Sequence, residues 1–145
     1  MNRDKKKAFI TIKGLPVFTE NEDDAFELMT DGEYIKSDDV TTFSYIESSL
    51  TGLDGLMTTF NVEDDRVTLR RGDGISGDMI FSETQKHHFL YDTPFGSVML
   101  GIDTHSITHN MRDDGGNLEI RYDIEVDNVS VSQNLFKISI RTLSQ

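Results

Sequence analysis

Apolar and polar residues alternate with a period of two along most of the chain, and no stretch sustains a helical period. Leu118, Ile120, Tyr122, Ile124 and Val126 are separated by Glu119, Arg121, Asp123 and Glu125, the pattern of a strand with one buried and one wet face. Phe136, Ile138 and Ile140 alternate in the same way with Lys137, Ser139 and Arg141, and Val98, Leu100 and Ile102 with Ser97, Met99 and Gly101. Shorter β-rich runs are predicted as strands at residues 9–13, 25–30, 33–36, 43–47, 56–62, 66–71, 78–82 and 89–91. Residues 22–29 contain good helix formers, but the run is short and Gly32 follows closely, so a strand with a bend at Asp31-Gly32 is expected there.

The segments are separated by turn signals: Gly14-Leu15-Pro16, Ser37-Asp38-Asp39, Thr51-Gly52 with Asp54-Gly55, Glu63-Asp64-Asp65 and Thr93-Pro94-Phe95-Gly96. About ten strands joined mostly as hairpins favour an all-β, antiparallel up-and-down barrel of eight to ten strands, since closure removes exposed edges. The last strand is then expected beside the first, at Phe9–Ile12. A barrel of this size is filled by side chains or holds one small ligand. No repeat or linker divides the chain, so residues 8–145 are expected to form one domain behind a flexible basic arm, residues 1–7.

Charge narrows the functional classes. Fourteen basic against 26 acidic residues give a net charge of −12, which disfavours a nucleic-acid partner and an anionic membrane surface. There is no cysteine, so neither disulfides nor thiolate chemistry is available. Lys13 interrupts the apolar run after the basic N-terminus and no small-residue cleavage site follows, so a cytoplasmic protein is expected.

The chemical motifs are weak. Gly72, Gly74 and Gly77 match Gly-x-Gly-x-x-Gly, but the segment after them is short and β-like, where a dinucleotide site needs a helix. His105 and His109 would share a face of a strand, and His87 and His88 are adjacent; without cysteine or a convergent ligand spacing, exposed loop histidines and no metal site are expected. The acidic turns at residues 22–24, 64–65 and 113–116 lack calcium-loop spacing and suit solvated hairpin turns. No nucleophile elbow accompanies the serines, no cofactor is implied, and binding is favoured over catalysis. The polar residues on apolar strand faces are more informative: Tyr45 and Glu47 with Phe43, Thr58 with Leu56 and Phe60, Tyr91 with Phe89, and Tyr122 with Ile120 and Ile124. If these faces form the lumen, it holds a carboxylate and several hydroxyls; a rim position for Glu47 is the alternative.

Tyr45-Ile46-Glu47, Gly52-Leu53-Asp54-Gly55, Thr58-Thr59, Arg70-Arg71-Gly72, Met79-Ile80-Phe81 and Tyr91-Asp92-Thr93-Pro94-Phe95-Gly96 stand in an order that resembles the YwiB-like family, a bacterial domain of unknown function. The resemblance runs from about Phe9 to Ile140. It implies a calycin, or lipocalin-like, barrel and no established activity. A buried Glu47 needs a cation, and two arginines compete for that role. Strict alternation puts Arg71 on the face of Val67 and Leu69, whereas the family-like Arg-x-Gly singles out Arg70, which turns inward only if a bulge forms near Gly72. Arg70 is taken as the partner. The expected function is small-molecule binding by Tyr45, Glu47, Thr58, Arg70, Tyr91 and Tyr122, in a monomer or homodimer. A filled barrel acting through protein contacts and an enzyme using Glu47 are the alternatives.

Overall fold

The alternating segments become ten strands among the described residues: β1 (Lys6–Pro16), β2 (Phe26–Lys36), β3 (Thr41–Ile46), β4 (Met57–Val62), β5 (Val67–Arg71), β6 (Met79–Phe81), β7 (His87–Thr93), β8 (Gly96–Arg112), β9 (Gly115–Val126) and β10 (Val129–Thr142). The computed structural model describes residues 5–16, 26–46, 55, 57–72 and 78–143. All ladders are antiparallel, and the sheet order is β6-β5-β4-β3-β2-β1-β10-β9-β8-β7. Two runs of hairpins are therefore joined by the pairing of the first strand with the last, from Ala8↔Thr142 to Pro16↔Asn134.

The ends of the sheet meet as a nearly closed barrel. Strand β6 packs against β7 and β8 without a hydrogen-bonded ladder to either. Side chains close this seam. The Phe81 ring on β6 meets Tyr122 on β9 edge-on, with centroids 4.9 Å apart. The Glu83 carboxylate accepts a 2.6 Å hydrogen bond from the Ile107 amide of β8, supplying the acceptor a neighbouring strand would otherwise give.

One face of every long strand turns inward and packs as a single core, including Ile10, Ile12, Phe43, Phe60, Val67, Leu69, Phe81, Ile102, Leu118, Ile120, Ile138 and Ile140. Phe43 and Phe60 lie opposite each other in the β3–β4 register and stack with centroids 4.9 Å apart. Tyr34 is buried near the opposite end of the barrel from the β7–β8 turn, and its hydroxyl donates a 2.6 Å hydrogen bond to the Arg112 carbonyl. Burial pushes this phenol up to about 12.

Several local expectations are corrected. β2 runs unbroken through Asp31-Gly32. A Cβ at Gly32 would collide with the Ser44 carbonyl oxygen and lie 2.6 Å from Ile10 Cδ1, so the glycine permits close approach of strands and makes no bend. β1 begins at Lys6 and so takes in Lys6 and Lys7, which the sequence assigned to the basic arm. β8 extends through Thr104 to Arg112, well beyond the clear alternation at residues 97–102. The β8–β9 register slips between Thr104 and Ser106, leaving His105 as the extra residue of a bulge and shifting the phase of the pattern after it. The β9–β10 hairpin turns on Asp127 and Asn128, both at positive φ (53° and 65°), as suits a tight two-residue hairpin turn.

Candidate functional site

At the end where β3 and β5 finish and β4 begins, the inner face changes from apolar to polar. Tyr45, Thr58 and Arg71 stand side by side across three strands, as the pairings Tyr45↔Thr58 and Thr58↔Arg71 show. Tyr45 and Thr58 are buried. Tyr122 enters from β9, its ring against Phe81 and, at 5.7 Å, against Phe136. Burial pushes the Tyr122 phenol up to about 12, and the positive charge of Arg71 pulls in the opposite direction. Arg71 and Tyr122, from strands far apart in the sheet order, thus lie within electrostatic reach of each other. Thr104 lies opposite Tyr122 in the β8–β9 register. It is 5% exposed, and its Oγ1 is buried without a hydrogen-bond partner. The arrangement offers phenol, hydroxyl and guanidinium groups over an aromatic floor, a chemistry of binding by hydrogen bonds and charge.

Of the residues expected from sequence, Tyr45, Thr58 and Tyr122 are brought onto this inner face. Glu47 lies outside the described residues. Tyr91 is described only by its backbone, which pairs with Val98 in β7 and β8. Arg70 is on the other side of the sheet. Its Nε and Nη2 grip the two carboxylate oxygens of Asp78, each at 2.9 Å, and its side chain is half exposed. The physical reason is the unbroken β4–β5 register from Val62↔Val67 to Thr58↔Arg71. No bulge intervenes, so alternation holds and Arg71, not Arg70, shares the face of Val67 and Leu69. Gly72 adopts its positive φ only after the strand has ended, where its amide donates to the Met57 carbonyl.

The histidines are in strands, contrary to the loop expectation: His87 and His88 in β7, His105 and His109 in β8. The bulge also separates His105 from His109. His109 pairs with the inward-facing Leu118, whereas His105 projects outward toward Asp123, with 2.9 Å from its Nε2 to Asp123 Oδ1. Among the described residues, one group of three metal-competent side chains converges: Asp103, His105 and Asp123, on the outer face and apart from the lumen. An open groove of about 380 Å³ also crosses the outer face over Thr11, Glu119 and Lys137, where Lys13 and Glu27 pair at 3.4 Å. Thr104, which precedes the bulge, could have been found by carrying the alternation of Val98, Leu100 and Ile102 one step further. Arg71 could have been found by keeping to alternation.

No curated protein matches the chain. Among solved structures it is similar to the crystal structure of the ywiB protein from Bacillus subtilis, with a TM-score of 0.80 and 20% identity over 97% of this chain and 94% of that one. At that identity the likeness is one of fold. The family model described as a domain of unknown function, DUF1934, matches residues 10–138. With nearly the whole barrel inside that match, the chain belongs to the DUF1934 family.

Proposed function

We propose that this barrel binds a small amphipathic anion at the polar end of its lumen, in the manner of the lipocalin-like calycins. The observation that carries the reading is that Arg71, exposed at the end of β5, lies within electrostatic reach of Tyr122, whose register partner Thr104 has an unpartnered hydroxyl. An unsatisfied buried hydroxyl is unfavourable, and a ligand oxygen supplies its partner. Arg71 adds the positive charge that selects an anion within a chain of net charge −12. Tyr45 and Thr58 continue the wall. The packed rings of Phe43 and Phe60 limit depth, so the ligand is small or lies partly outside.

The test uses 1-anilinonaphthalene-8-sulfonate, which has an apolar body and one sulfonate. One saturable site per chain is expected. Losing a charge-assisted hydrogen bond is worth about 1.5–3 kcal/mol, so Arg71→Gln should weaken binding about tenfold or more. Arg70→Gln, on the outside, should leave binding unchanged. Equal affinity in wild type and Arg71→Gln would overturn the proposal. Loss instead on Phe95→Ser would favour the second reading, a filled barrel acting through protein contacts. That reading rests on the exposed apolar residues of the same end, Phe95 (99% exposed), Met99 and Val131.

A further inference from the structure

The outer face of β8 and β9 carries a cluster that neither the lumen nor the packing of the sheet explains. We propose that Asp103, His105 and Asp123 form a site for a first-row divalent cation of the Zn²⁺ or Mn²⁺ type, with Gln133 as a further oxygen donor.

Four observations converge. First, the ligand atoms of Asp103, His105 and Asp123 all lie within 4.8 Å of one another, close enough to share one ion. Second, Asp103 and Asp123 are direct partners in the β8–β9 register. Like charges opposite each other across a strand pair are destabilising, and Asp123 is only 7% exposed, so water screens it poorly. Third, the bulge places His105 on this face, and imidazole brings a neutral nitrogen donor to two anionic oxygens. Fourth, Gln133 pairs with Asp123 from the other side, in the β9–β10 register, and its Oε1 is buried with no hydrogen-bond donor. An amide oxygen lacks any donor here, and a cation is a partner it can take.

The surrounding charges agree with a dication. Glu125, also 7% exposed, is paired with Lys86 at 2.9 Å, and the same ammonium is within electrostatic reach of Asp103. One shared lysine offsets only part of the charge that Asp103 and Asp123 bring to the imidazole. The mixed nitrogen and oxygen donors favour zinc or manganese over calcium and magnesium, which prefer oxygen alone.

The experiment is calorimetric titration of ZnCl₂ into the full-length protein, freed of metal with EDTA and desalted into a non-coordinating buffer. One ion per chain is expected, with millimolar Mg²⁺ failing to compete. His105→Gln should weaken Zn²⁺ binding at least about tenfold, as should Asp103→Asn. His109→Gln, on the same strand but the opposite face, should bind as wild type. Asp103→Asn supplies a second readout. Because it removes the like-charge pair, it should raise the melting temperature in EDTA while lowering zinc affinity. No saturable binding, affinity unchanged by His105→Gln, or a lower melting temperature in EDTA for Asp103→Asn would each overturn the proposal.

Discussion

Truncating Phe81 to alanine tests how the barrel closes. Phe81 is fully buried on the three-residue strand β6, and its ring is the described contact that reaches Tyr122 across the seam. Transfer of a Phe side chain out of water is worth about 1.5–3 kcal/mol. The cavity left in a rigid aromatic cluster raises the total for Phe→Ala to about 3–5 kcal/mol. For a domain whose whole stability is about 5–15 kcal/mol, that is a large share. At about 2–4 °C per kcal/mol, the melting temperature should fall by about 6–20 °C. A double-mutant cycle of Phe81→Leu with Tyr122→Leu isolates the edge-on contact, for which a coupling of about 0.5–1.5 kcal/mol is expected. Urea unfolding followed by far-UV circular dichroism gives the energies. Hydrogen exchange gives the location: in Phe81→Ala, the amides of β6 should exchange early while the β1–β10 ladder stays protected. A loss below about 1 kcal/mol with no coupling would refute side-chain closure of the seam.

Two further outcomes follow from the core. Tyr34 and Tyr122, two of the four tyrosines, should ionise near 12 in the folded protein against 10.0 for the free phenol. Their folded-state values are raised, so the stability they contribute is intact below about pH 10 and is lost as pH rises toward about 12. Absorbance at about 295 nm and alkaline melting curves check this, and full ionisation of all tyrosines near pH 10 in folded protein would contradict it. Gly32→Ala should destabilise by about 1–3 kcal/mol or more, because the added carbon meets the backbone of Ser44, which cannot yield as a flexible side chain would. Denaturant titration decides it, and a neutral result would mean that β2 and β3 have room to separate.

The architecture was legible because most of the strands keep one period of two. Leu118 to Val126 alternates without a fault, and its register with β8 and β10 follows from short turns. Legibility failed where a bulge or a long-range juxtaposition intervenes. A single extra residue at His105 reverses the phase of β8, so the alternation that runs through Ile102 and Thr104 resumes out of step at Ile107 although the strand is continuous. The choice of Arg70 over Arg71 needs a bulge at the glycine-rich end of β5, and the register of that strand has none. Tyr45, Thr58 and Tyr122 were readable as polar residues on apolar faces. Asp103, His105 and Asp123 were not, since each looks like an ordinary solvent-facing position on its own strand. Only the pairing across the β8–β9 hairpin brings them together.

The β1–β10 ladder has a kinetic consequence. Every other ladder joins strands adjacent in sequence, formed by closing a short loop, whereas Ala8 must find Thr142 across almost the whole chain. The entropy of that closure has to be met before the pairing returns any stability, so both runs of hairpins should be largely assembled first. The seam is the mirror image of this problem: β6 and β7 are neighbours in sequence yet share no ladder. The Leu143 amide already donates to the Lys7 carbonyl, at 2.9 Å. A permuted chain opened between Phe81 and His87, with its old ends joined by a short linker beyond Lys7 and Leu143, would therefore run through the sheet in strict spatial order. It would turn the one distant pairing into a local hairpin and cut no hydrogen-bonded ladder.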